Sequence, residues 1–70
     1  GLKPSPYLTV YALHFMAEAR AQGYTIDQPV FAKARDYTKK LLRWNAKKEG
    51  MNENYLDELK AYAVYVLALM

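Results

Sequence analysis

The sequence predicts an all-α chain of three helices, and three observations carry that expectation. Apolar residues recur at three- and four-residue spacing through most of the chain, the period of one helix face. Capping and breaking residues fall where such helices should start and stop: Ser-Pro and Asp-Gln-Pro at beginnings, Gly and Asn-rich stretches between. The first and last predicted helices also repeat one another in register. A hydrophobic fraction of 53%, with seven tyrosines, is far too rich for a disordered segment.

The first helix is expected over about 6–22. Ser5 can cap it, Pro6 suits the first helical position because its missing N–H is an orphan there anyway, and Gly23 supplies the left-handed residue that stops it. Leu8, Tyr11, Ala12, Phe15, Met16 and Ala19 form the expected buried stripe, and Val10 and Leu13 widen it beyond that of a normal surface helix. The second helix is expected over about 29–46, capped by Asp27, with Pro29 in its first turn and a fading end in "NAKKEG". Its expected inner stripe is Val30, Ala34, Tyr37, Leu41 and Trp44, and its wet face is Lys33, Asp36, Lys40, Arg43 and Lys47. A third helix is expected over about 54–70, with Asn52 or Asn54 as cap. Its last turns, "AYAVYVLALM", hold no charge, so burial is expected on all sides. Met70 brings no stop signal, which reads as a chain cut inside an element.

Laid on the third helix, the first gives "LTVYALHFMA" against "LKAYAVYVLA", at an offset of 51 residues. Leu8/Leu59, Tyr11/Tyr62, Ala12/Ala63 and Ala17/Ala68 are identical, and Leu13/Val64, Phe15/Val66 and Met16/Leu67 are similar. Two very apolar helices flanking an amphipathic one suit a repeat array, in which inner helices are covered on most sides and outer helices face water on one.

Composition narrows the function classes. Seventy residues make one small domain at most, burying only about 60% of the surface of the unfolded chain. With no cysteine and a single histidine, neither disulfides nor a metal can be expected to brace it, leaving packing or partners. Charged residues interrupt every apolar run before the roughly 20 residues needed to span a bilayer. "GLKPSP" has none of the parts of a signal peptide. A net charge of +3 is mild for a polyanion binder.

The stretch "PYLTVYALHFMAEARAQGYTI" resembles the alpha-2-macroglobulin family, especially its bacterial members. The thioester-containing domain of that family carries an aromatic-Leu-Thr-Ala-aromatic helix start, a following F-x-x-x-A-R, a Gly-Tyr turn, and a second helix ending in a Leu-rich turn with Arg and Trp or Tyr. Tyr7, Leu8, Thr9, Tyr11, Phe15, Ala19, Arg20, Gly23, Tyr24, Leu41, Leu42, Arg43 and Trp44 fall in that order. The resemblance covers nearly the whole chain. It implies an alpha/alpha toroid of six hairpins in two rings, of which residues 1–70 would be a three-helix fragment, one and a half hairpins. The first and third helices would belong to the inner ring and the second to the outer. It further implies a protease-trapping, endopeptidase-inhibitor parent in the bacterial periplasm or cell envelope, whose partners are the remaining hairpins and, through the parent, target proteases.

The departures from that family bear on chemistry. Gly-Cys-x-Glu-Gln is absent, so this chain cannot form the thioester. The acyl-relaying histidine of complement-type members has no counterpart between Asn45 and Asp57, and His14 does not occupy its place. Neither bait region nor receptor-binding sandwich is present. No catalytic, cofactor-binding or metal-ligating residue is expected, and no cofactor or small-molecule substrate. His14 has one carboxylate at helical spacing, Glu18, which falls short of a metal set and reads as structural. Glu18, Asp57 and Glu58 are not brought to a shared apolar pocket by spacing and read as surface charge. No Asp-rich run of the terpene-cyclase kind occurs. Two alternatives stand beside the toroid: a stand-alone helical interaction module, and a basic nucleic-acid-binding domain built on "KARDYTKKLLRWNAKK" with Tyr37 and Trp44. The first shares with the toroid fragment the expectation of self-association through exposed apolar surface.

Overall fold

The computed structural model describes residues 5–70, so the Gly1–Pro4 part of the stretch read above for a leader lies outside the described residues. Four helices follow in order: α1 Pro6–Ala21, α2 Gln28–Leu41, α3 Ala46–Glu49 and α4 Glu53–Ala68. α1 and α2 form an antiparallel hairpin, tied near its turn by the Arg20 guanidinium 4.9 Å from the centre of the Phe31 ring. α4 returns parallel to α1. Tyr7 lies beside Tyr62, while His14, two turns further along α1, reaches both Tyr62 and Tyr65. The molecule is a slab of 40 × 28 × 15 Å with a radius of gyration of 12.6 Å. A sphere-like chain of this length would have about 11 Å.

Each boundary has a local cause. Ser5 Oγ accepts from the Leu8 N–H, Asp27 Oδ1 from Val30 and Asn52 Oδ1 from Tyr55, so each long helix has one of its orphan amides satisfied by a cap. Asn52, not Asn54, is the cap of α4. α2 stops at Leu41, five residues before the expected end. Leu42, Arg43 and Trp44 donate to carbonyls three residues back, a tightened last turn, and Asn45 then starts a new helix by accepting from Lys47 and Lys48. The stretch expected to fade is therefore the one-turn α3, closed by Gly50 at φ 65°. Among the described residues the other with positive φ is Gly23, at 92°, which ends α1 as expected.

The core is Val10, Leu13 and Ala17 of α1, Phe31, Ala34 and Leu41 of α2, and Leu56, Leu59, Ala63 and Val66 of α4. Thr38 is buried with them, its hydroxyl donating to the Ala34 carbonyl at 2.8 Å, so no polar group is stranded there. This core corrects three expectations. On α1 the expected stripe is largely outside: Leu8, Tyr11 and Phe15 are 62%, 53% and 68% exposed, and the residues expected only to widen it are the buried ones. On α2, Val30 is exposed and Tyr37 half-buried, while Phe31 and Thr38 take the inner positions. On α4 the charge-free last turns are not covered on all sides, since Val64, Tyr65, Leu69 and Met70 are exposed. The common cause is that a helix apolar around most of its circumference has several stripes of equal period, and only the placement of its neighbours selects one.

Two substitutions separate these alternatives. Leu13→Ala should cost about 2–5 kcal/mol of unfolding free energy, whereas Phe15→Ala in dilute solution should stay within about 0.5 kcal/mol. Urea denaturation followed by circular dichroism reads both, and the opposite ranking would return the core to the face first expected. Gly50→Ala should cost about 1–2 kcal/mol, purely from the left-handed backbone, because a Cβ there meets no atom within 4 Å. Gly50→Asn should cost less, and equal losses for the two would refute that cause.

Candidate functional site

A group of polar and aromatic side chains lies on the seam between α1 and α4. His14 Nδ1 is 2.7 Å from the Tyr62 hydroxyl, across 48 residues of sequence, and His14 Nε2 is 3.4 Å from Glu18 Oε1 one turn along. Glu18, when ionised, can only accept, which places the proton of a neutral imidazole on Nε2 and leaves Nδ1 to accept from Tyr62. Tyr62 stacks on Tyr7 at 5.7 Å between ring centres, Tyr7 on Tyr11 at 6.4 Å, and Tyr65 meets the His14 ring edge-on. Below them, Tyr7, Tyr55, Glu58, Leu59 and Tyr62 line a half-open cleft of about 300 Å³.

Glu18 carboxylate, His14 imidazole and Tyr62 hydroxyl stand in sequence across the seam. The Tyr62 phenol is pushed above its ordinary value of 10.0, first by burial and then by the neighbouring Tyr7, Tyr11 and Tyr65. Its ring is packed between neighbours, and the arrangement serves as a polar tie that fixes α4 against α1. Of the carboxylates, the structure brings Glu18 to His14 and Glu58 to the tyrosine cleft, and Asp57 to neither. No cluster of three metal-capable side chains occurs among the described residues.

The basic segment divides in two. Lys33, Lys39, Lys40, Arg43 and Lys47 are exposed, with Asp36 among them. Tyr37 and Trp44 are half-buried and meet edge-to-face at 5.7 Å, and Trp44 offers its carbonyl to Lys60 Nζ of α4 at 2.6 Å. The Tyr37 phenol is pushed up by burial first and by Glu49 second. The two rings are thus engaged with each other, and Trp44 also packs against the core.

Two apolar faces remain open. Leu8, Ala12 and Met16 of α1 with Val30, Ala34 and Tyr37 of α2 line a shallow groove of about 430 Å³ on the side away from α4, with Lys33 at its edge. On α4, Ala61, Val64 and Ala68 are exposed in one stripe. No protein-family model, curated protein or solved structure matches the chain.

The His14–Tyr62 contact and the tyrosine cleft were not legible in the sequence. The repeat register pairs Tyr62 with Tyr11 and His14 with Tyr65, and nothing local signals a bond between residues 48 apart.

Because the folded chain holds the Tyr62 proton more tightly than the unfolded chain, its contribution to stability is complete below about pH 10 and falls as pH rises through the folded value. Tyr62→Phe should flatten that alkaline loss when urea midpoints are compared from neutral pH upward. Parallel pH profiles for the two proteins would place the alkaline sensitivity elsewhere.

Proposed function

We propose that this chain is a structural unit of a larger helical scaffold, the alpha/alpha toroid of an alpha-2-macroglobulin-like thioester domain, and that it supplies packing rather than chemistry. The observation that carries this reading is the surplus of apolar surface: α1 and α4 each bury one stripe and leave another open. Isolated apolar side chains on a surface need no explanation, but contiguous stripes on two helices mark an interaction surface. The amphipathic α2, charged outward, fits the outer position, and α1 and α4 fit the inner. The quoted likeness from Tyr7 to Trp44 supports the family. On this reading the parent traps proteases in the bacterial envelope, the neighbouring hairpins are the direct partners, and these residues turn over no substrate.

The second reading, a stand-alone interaction module, is favoured by the capped helices and the shared core of α1, α2 and α4. Nucleic-acid binding has less behind it, because Tyr37 and Trp44 are half-buried against each other and the net charge is only +3.

The full reading frame of the source gene tests the proposal. It should encode further helical hairpins carrying the Leu-x3-Ala-x2-aromatic pattern of Leu8, Ala12 and Phe15, and a frame without them overturns the toroid. Fluorescence anisotropy with short single- and double-stranded DNA at low salt should show no binding, and a salt-sensitive complex would promote the nucleic-acid reading instead.

A further inference from the structure

The internal repeat and the pattern of exposure, taken together, give the two open faces a specific relation. At the 51-residue offset, Val10, Leu13 and Ala17 of α1 correspond to Ala61, Val64 and Ala68 of α4. The first set is buried and the second exposed. Leu8, Ala12 and Phe15 correspond to Leu59, Ala63 and Val66, and here the first set is exposed and the second buried. Each helix therefore carries the same two stripes, and the fold joins the first stripe of α1 to the second stripe of α4. What it leaves open is the second stripe of α1 and the first stripe of α4, the same complementary pair seen from its outer sides.

We propose that a second copy of this chain docks head-to-tail on the first, with Leu8, Ala12 and Phe15 of one copy packed on Ala61, Val64 and Ala68 of the next. The contact repeats, between molecules, the parallel α1–α4 packing found within one. Charge agrees with that orientation. The α4 stripe begins at Glu53 and Asp57, both exposed, and a parallel approach brings them to the end of the α1–α2 groove, where Lys40 follows Lys33 and Tyr37 at helical spacing. Such a contact joins two different faces, so it does not close on itself as a two-fold dimer does. It continues into a ring or an open chain.

The inference shares with the scaffold reading the equivalence of α1 and α4 and their open stripes, but not the presence of further hairpins. A source gene lacking further hairpins would end that reading and leave this one standing.

Sedimentation velocity over a concentration series tests it. The wild-type chain should grow beyond a dimer as concentration rises. Phe15→Glu spoils one face and Val64→Glu the other, so each variant alone should be monomeric. Mixed in equal amounts they should form a dimer that grows no further, because each retains the face the other has lost. Both positions are solvent-exposed, at 68% and 54%, and far-UV circular dichroism checks that the helices persist. Leu8→Lys paired with Ala61→Glu gives the same reading if either glutamate variant unfolds. A monomeric wild type, single variants that associate as it does, or a mixture that stays monomeric overturns the proposal.

Discussion

The structure depends on one stripe of α1. Val10, Leu13 and Ala17 face a core completed by both the hairpin partner α2 and the returning helix α4. α1 packs on both of these helices, and α2 and α4 also meet each other, so each long helix touches the other two. No disulfide braces the arrangement, and a chain of this size buries a smaller share of its surface than a larger domain does, so hydrophobic burial in this shared region must offset most of the entropy of ordering. Loss of a methylene there is felt by all three long helices at once, which is why a side chain as large as Phe15, on the exposed face of the same helix, can matter less than Ala17.

Apolar packing fixes which helices meet but is permissive about how they slide. Polar contacts restrict that freedom. The His14–Tyr62 bond and the stacked Tyr7 and Tyr62 rings fix α4 against α1, and Lys60 donating to the Trp44 carbonyl fixes it against the turn that follows α2. A one-turn slide of α4 would leave the Tyr62 hydroxyl and the imidazole nitrogen without each other, and half-buried polar groups lose more from such a mismatch than apolar ones. The parallel register of α1 and α4 is thereby set by a handful of directed contacts laid over an undirected core.

The helical class and the main punctuation were legible because both are local. Ser5, Asp27 and Asn52 act within three residues of themselves, and Gly23 answers a need of its own backbone. The choice of buried face was not legible on α1, where Leu8, Tyr11 and Phe15 offered as good a stripe as Val10, Leu13 and Ala17. On α2, one face is charged, and the sequence reached Ala34 and Leu41 correctly while missing Phe31 and Thr38, one position to the side of Val30 and Tyr37. Thr38 escaped for a further reason: its burial relies on a hydroxyl bond to the Ala34 carbonyl, which hydropathy does not register. The early end of α2 turned on Asn45, whose capping of α3 competes with continued helix through "NAKKEG".

Two stripes on one helix are a costly feature for a protein that works alone, since the open stripe lowers solubility without adding to the core. They are economical in a chain of like units, where every stripe but the terminal ones is covered. The exchange of roles between α1 and α4 has the form of that second case. Had both helices left the same stripe open, the surplus would suit a two-fold dimer or an unrelated partner. They instead leave open the two halves of a pairing the fold already makes, so the surface that the core does not use is specified by the same residues, in the same order, as the surface that it does.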